Sequence, residues 1–271
     1  MPQSHLKRSI QNVVKSAHYA IAAGDTPPRA ALIFHELLPR QHRAFGDGIT
    51  ALKDEGYVPV LPAAYLEDDC EDADDKRLLV SFDDNFKHWA QALPALDDAG
   101  VRAVFFITTG PTLSTPSAYD VAGFYARVDH SEDPVPLSRT ELLEIRAAGH
   151  LIGCHTEWHR SLTSLMPEEW DAEVRQSKER LEDLFAEPIV DFSYPFGVRR
   201  HFSEPLAGYV RGLGFKRIYA GQPGRLYDGV SDAMRIPRTR WNLDRPVADN
   251  IADIRVDGRL FESLTGRSPV G

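Results

Sequence analysis

LLVSFDDNFKHW, running from Leu78 to Trp89, sets two adjacent aspartates at the mouth of an apolar run. Leu78, Leu79, Val80 and Phe82 have the composition of a short buried strand. Asn85, followed by Phe86, Trp89, Leu93 and Leu96 at helical spacing, reads as a turn opening a helix over 86–99. Asp83 and Asp84 then lie at the C-terminal edge of a strand, where barrels and open α/β sheets carry their chemistry. Adjacent acids there are candidates for a catalytic base, a metal ligand or both. An aspartate N-cap for the following helix would use the same residues.

Working outward, strand and helix patterns alternate. Strands are predicted at 78–83, 102–107, 150–154, 189–193 and 215–219, and helices at 86–99, 138–148, 167–185 and 203–213. Upstream, AALIFHEL reads as a buried strand ending at His35 and Glu36, followed by a helix through about residue 55 and a short strand at 57–61. Such alternation predicts one α/β domain with a parallel sheet or a (β/α) barrel. Its core spans 30–241, with a helical extension at 1–29, amphipathic over 5–22, and a C-terminal segment at 242–271 ending in the tail RSPVG. Residues 110–136, with four prolines and the aromatics Phe124 and Tyr125, read as a long loop at the functional edge. The acidic run EDDCEDADDK, Glu67 to Lys76, reads as a solvated loop, because the spacing and glycine of an EF-hand are missing.

Of the 271 residues, 42% are hydrophobic and 26% charged, as in ordinary globular domains. A net charge of −9 argues against non-specific affinity for nucleic acid or anionic lipid. The two cysteines, Cys70 and Cys154, form no CxxC, which argues against a disulfide framework or a cysteine zinc knuckle. The N-terminal stretch lacks a continuous apolar segment, and nowhere does the chain approach the roughly 18 apolar residues that span a bilayer. The expectation is a cytoplasmic protein without a membrane span. Its oligomeric state is not legible.

HLIGCHTEWHRSL, from His150, supplies partners for the acids. His155 and His159 are four apart, so a helical turn after strand 150–154 would set both imidazoles on one side and let them grip one ion. With one carboxylate they would leave positions open for water, as catalytic zinc requires. Two histidines on a wet helix would show the same spacing. DFSYPFG, Asp191 to Gly197, leaves another strand through proline and glycine, a turn able to present a backbone N–H to a developing oxyanion.

In the order FDD, HTxxH, YPxG, each at a strand end, residues 30–241 resemble the polysaccharide deacetylases of carbohydrate esterase family four, the chitooligosaccharide-deacetylase homology domain. The resemblance implies a distorted (β/α) barrel of about seven parallel strands. It also implies divalent-metal hydrolysis of an N-acetyl or related amide on a sugar. It makes Asp83 the general base and makes Asp84, His155 and His159 the metal ligands. Thr156 would brace the histidine loop, and Phe196 would offer its backbone N–H to the oxyanion. The ion would be zinc, although cobalt and nickel accept the same ligands.

Several positions depart from that pattern. No histidine follows His201, where the family keeps its acid. ALIFHEL instead resembles the first strand of a permuted subgroup that includes deacetylases of biofilm poly-N-acetylglucosamine, which makes His35 the candidate general acid. Ser193 stands where the family commonly has an arginine that orients the base, and Arg238 in RIPRTRW is the candidate substitute. Asn85 replaces a glycine. Tyr194, Trp158 and Trp241 are candidates for sugar contact, with buried packing the alternative for both tryptophans. The expected partner is a small molecule or oligosaccharide bearing an N-acyl group. A hydrolase of a non-sugar amide, or an inactive carbohydrate-binding or scaffold protein on the same fold, remains open.

Overall fold

A computed structural model describes residues 26–67, 76–128, 132, 134–197, 201–222 and 235–255. The expected helix at 5–22, residues 68–75 of the acidic run, and the tail RSPVG lie outside the described residues. Eight strands form one sheet: β1 (Arg29–Phe34), β2 (Tyr57–Pro59), β3 (Lys76–Asp84), β4 (Val104–Ile107), β5 (Leu151–Cys154), β6 (Asp191–Ser193), β7 (Arg217–Tyr219) and β8 (Thr239–Arg240).

Seven run in the order β7-β6-β5-β4-β3-β1-β8, with β2 added to the first part of β3. Every strand pair is parallel. The two ends of the series meet. Tyr219 bridges to Ile236, and the Arg238 N–H donates to the Gln222 carbonyl. On the other side of this segment, Leu32 and Ile33 of β1 pair with Thr239 and Arg240. The sheet is therefore a distorted, closed (β/α) barrel of the expected kind, and all strand C-termini point to one rim.

Alternation along β3 builds two apolar layers. Leu79 joins Ala31, Val104, Phe106, Tyr219 and Ile236 in the barrel interior. Leu78, Val80 and Phe82 face outward, beneath the helices, with Trp89, Phe105 and Leu142. In the outer layer Phe82 stacks on Phe34 and on Phe105, with ring centroids 5.3 and 4.8 Å apart. Each large apolar side chain removed from water in this way contributes about 1.5–3 kcal/mol.

The helices depart from their sequence expectation where backbone chemistry intervenes. The helix read over 86–99 is two pieces, His88–Gln91 and Leu93–Asp98, because Pro94 opens a new helix at its first turn and cannot donate within the old one. The helix read over 167–185 is a 3-10 turn at Pro167–Glu169, a π turn at Asp171–Arg175 and an α-helix only over Gln176–Phe185. The long loop of 110–136 contains helices at Gly110–Leu113 and Ala118–Val128. Ser138 and Glu141 form the capping box that starts Arg139–Ala147. No helix among the described residues is long and apolar enough to cross a membrane.

Candidate active site

Adjacent residues of a strand point to opposite faces, so Asp83 and Asp84 could not both reach one site from a regular strand. Asp83 continues the inward row of Leu79 and Ser81. Asp84 ends the strand with φ 95°, and this turn brings its carboxylate to the rim beside Asp83. Asn85 then fixes the chain beyond: its side-chain amide donates to the Thr108 carbonyl and the Thr112 hydroxyl, and its oxygen accepts the Leu137 N–H.

His155 and His159 come together, but not on a helix. After β5 the chain is irregular, with Thr156 at φ 69° and His159 at φ 55°. Left-handed backbone at non-glycine residues costs on the order of 1–3 kcal/mol each. The bend replaces the expected helical turn and points both imidazoles at Asp84: Nε2 of His155 lies 3.5 Å, and Nε2 of His159 3.3 Å, from Asp84 Oδ1. His155 Nδ1 is 2.8 Å from the Ser193 carbonyl. A carbonyl only accepts, so Nδ1 carries a hydrogen and Nε2 is the atom that faces Asp84, with a lone pair free for an ion once the ring is neutral.

All three side chains are buried, and their donor atoms lie within 4.8 Å of one another. Two donors each about 2.0–2.1 Å from a shared tetrahedral ion sit about 3.3 Å apart, which matches both separations. Asp84 Oδ1 is buried with no hydrogen-bond partner. An orphaned carboxylate oxygen facing two imidazoles is costly without a cation, so the donor set fits a divalent ion. Burial pushes the His159 pKa down to about 3, leaving a neutral ligand. Burial acts the same way on His155, but Asp83 and Asp84 outweigh it and raise that pKa. Burial would raise the Asp84 carboxyl, and the two histidines hold it well below the carboxylate range instead.

Arg238 reaches Asp83 from across the barrel. Its guanidinium grips the carboxylate at 2.6 and 2.7 Å and also donates to the hydroxyls of Ser81 and Ser193 and to the Ala220 carbonyl. It lies over Phe106 and Tyr219, 5.1 and 5.6 Å from the ring centroids, and its side chain is fully buried. Ser193 Oγ donates to Asp83 Oδ2 at 2.8 Å, so this residue ties His155 through its carbonyl and Asp83 through its hydroxyl. Burial favours the protonated form of Asp83, yet Arg238 overcomes it and keeps the carboxyl below its ordinary pKa.

Phe196 takes φ 64° and Gly197 φ 57°, so the turn after β6 is left-handed at two successive residues. A Cβ on Gly197 would sit 2.3 Å from the Gly221 nitrogen, which no side chain tolerates. The Phe196 ring stands edge-on to His159 at 4.6 Å and walls the site, 42% exposed. His35, just past β1, is close enough to Asp83 and Asp84 to stabilise their charge. It borders a cleft of about 240 Å³ lined also by Glu36, Gln41, Arg240 and Trp241.

The three expected sugar contacts fare differently. Tyr194 is 3% exposed between Phe192 and Phe202, which leaves no ring face for a ligand. The proline turn directs its side chain inward rather than outward. Trp241 borders the cleft but is itself buried, with Gly48 beneath its ring. Trp158 is half-buried against Gly110. The sequence reading missed Ser81 and Glu173. Neither belongs to a chemical motif, and only the closed barrel and the packing of the helix after Trp170 bring them to the site.

A family model described as polysaccharide deacetylase matches residues 71–218, more than half of the chain. The chain belongs to the polysaccharide deacetylase family. His35 and Arg238 lie outside the matched span, on either side. Among curated relatives, YxkH of Bacillus subtilis (strain 168), which carries a polysaccharide deacetylase name, is 23% identical over 176 residues. That match covers 64% of this chain, and the chain spans only about 55% of the relative. The fold is shared with the Streptococcus pyogenes deacetylase PplD in complex with acetate, at TM-score 0.65 and 18% identity over 83% of this chain and 97% of that one. It is shared equally with IcaB from Ammonifex degensii, at TM-score 0.65 and 18% identity over 86% and 98%.

Proposed function

We propose that this protein is a divalent-metal-dependent hydrolase that removes an acetyl or related acyl group from the nitrogen of an amino sugar. The observation that carries the reading is the buried trio Asp84, His155 and His159 beside a second carboxylate, Asp83, which is paired with Arg238. Family membership and the acetate named with PplD support acyl transfer to water as the reaction.

Asp84, His155 and His159 would hold the ion, with zinc the best fit to this ligand set. When bound, such an ion polarises the acyl carbonyl and lowers the pKa of water. Asp83 accepts the proton of the attacking water, and Arg238 with Ser193 keeps it ionised and aimed. The backbone N–H of Phe196 donates to the carbonyl oxygen as negative charge develops there. His35, at the cleft near both aspartates, protonates the leaving nitrogen so that a neutral amine departs. The adjacent aspartates thus divide two roles, which one strand can do only because Asp84 breaks its regular geometry.

The inactive-scaffold alternative drew on the absent arginine at Ser193, and Asp83 has a guanidinium partner after all. The test is elemental analysis of the wild type, Asp84→Ala and His155→Ala, followed by acetate release from N-acetylated chito-oligosaccharides with and without chelator. One zinc per wild-type chain, lost in both variants, with chelator-sensitive hydrolysis, supports the reading. A wild type that stays metal-free after incubation with zinc, cobalt or nickel would overturn it.

A further inference from the structure

The histidine loop needs a reason to hold its left-handed bend, and the residues that supply it lie behind the site. Glu173 is 2% exposed and sits in the π turn Asp171–Arg175. Counted back from the α-helix, Glu173 and Val174 lie four and three residues before Ser177, so they extend the buried face that continues through Ser177 and Leu181. A carboxylate is thereby delivered where a regular amphipathic helix would place an apolar group.

There it serves the loop between the two histidines. Its Oε2 accepts the Trp158 backbone N–H at 3.0 Å, and the Thr156 hydroxyl lies near enough to oppose the burial that raises the pKa of the same carboxyl. The Thr156 oxygen in turn accepts the His159 N–H at 3.0 Å. The Glu173 carbonyl takes the Glu157 N–H at 2.8 Å. The two residues between the left-handed Thr156 and His159 are thus both tied to Glu173, and the Thr156 hydroxyl beside it closes the bend onto His159. Arg160 is the nearest cation, at 3.9 Å, too far for a close ion pair. The carboxylate's bonds therefore go chiefly to the loop.

We infer that Glu173 is a positioning residue for the metal site, holding the Thr156–His159 bend so that His155 and His159 face Asp84 before any ion arrives. This rests on the metal-dependent reading proposed above. Without Glu173 the Trp158 N–H loses a buried partner, the Thr156 hydroxyl loses the carboxyl beside it, and the loop relaxes toward ordinary backbone angles. His159 then turns away from Asp84.

The test measures zinc affinity of the full chain, freed of metal, by competition with a chromophoric chelator, and records the cobalt(II) absorption spectrum as a reporter of ligand geometry. Glu173→Ala should bind zinc about 10–100-fold more weakly than wild type and show an altered cobalt spectrum, the range typical for lost outer partners of metal ligands. Glu173→Gln keeps one acceptor oxygen and should fall between the two. Leu181→Ala, a buried apolar truncation on the adjoining helix, should lower the denaturation midpoint of the metal-free protein while keeping zinc affinity and the cobalt spectrum. Should Glu173→Ala fail to fold, Glu173→Gln decides alone, with a several-fold weaker zinc affinity expected. Wild-type affinity and spectrum in the folded Glu173 variants would overturn the inference and leave the metal site standing. A wild type that binds neither metal overturns both.

Discussion

Replacing Arg238 by methionine removes the charge that faces Asp83 while filling much of the space. The pair is sealed, with side-chain exposures of 0% and 4% and two contacts at 2.6 and 2.7 Å. Breaking one side of a buried pair typically costs about 3–5 kcal/mol, because the remaining charge is left desolvated. Urea denaturation at pH 7 should show a loss of that size. The pH dependence gives a sharper check. In the wild type the Asp83 pKa is depressed, so its contribution is present above the unfolded carboxylate value near 3.9 and fades only as pH falls through the lower folded value. In Arg238→Met burial acts with its main opponent gone, the folded pKa rises, and protonation relieves the variant as pH drops toward 4. The gap between the two proteins should therefore shrink on acidification. Adding Asp83→Asn should restore part of the lost stability, since it discharges the orphan. A loss under about 1 kcal/mol at pH 7, or a gap that widens in acid, would refute the reasoning.

Other consequences are as direct. His155 carries a raised pKa in the metal-free protein, so zinc binding should expel a proton and weaken as pH falls; calorimetry in buffers of different ionisation enthalpy would detect the release. Gly197→Ala should displace the turn that aims the Phe196 N–H, lowering the melting midpoint by an amount equivalent to about 1–3 kcal/mol and reducing hydrolysis, since its Cβ would strike Gly221. Asp83→Asn should retain zinc yet lose about 10²–10⁴-fold in turnover, the usual weight of a general base. The Cys154 thiol is buried and pushed up to about 12, so iodoacetamide should leave its peptide unmodified until denaturant is added.

The fold was legible because the alternation of apolar strands with helical spacings survives local exceptions. The breaks at Pro94 and in the π turn did not disturb strand order. At the site, local motifs marked residues that the fold brings together, though not through the local geometry their spacing suggests. HxxxH suggested a helix, while the imidazoles meet through left-handed bends at Thr156 and His159. Backbone of that kind is held by tertiary bonds, from Thr109, Gly110 and Arg127 as well as Glu173, which no HxxxH spacing encodes. Arg238 was within reach only through a short resemblance, because 155 positions separate it from Asp83 and only barrel closure joins them. Tyr194 shows the converse: an aromatic beside a catalytic turn was read as a contact, and packing against Phe192 and Phe202 turned it inward.

The segment Ile236–Arg240 enters last, between β7 and β1, and brings Arg238 with it. During synthesis from the N-terminus, every other strand among the described residues has left the ribosome before this one. Until then the sheet has two raw parallel edges, and Asp83 sits in the forming interior with no guanidinium beside it. Long-range parallel closure is slow, and open edges invite association between chains. The same short strand therefore finishes the hydrogen-bonded ring and discharges its most awkward buried carboxylate in one late step. A nascent chain stalled before residue 236 should remain dependent on chaperones, even though Asp84, His155 and His159 have all been made.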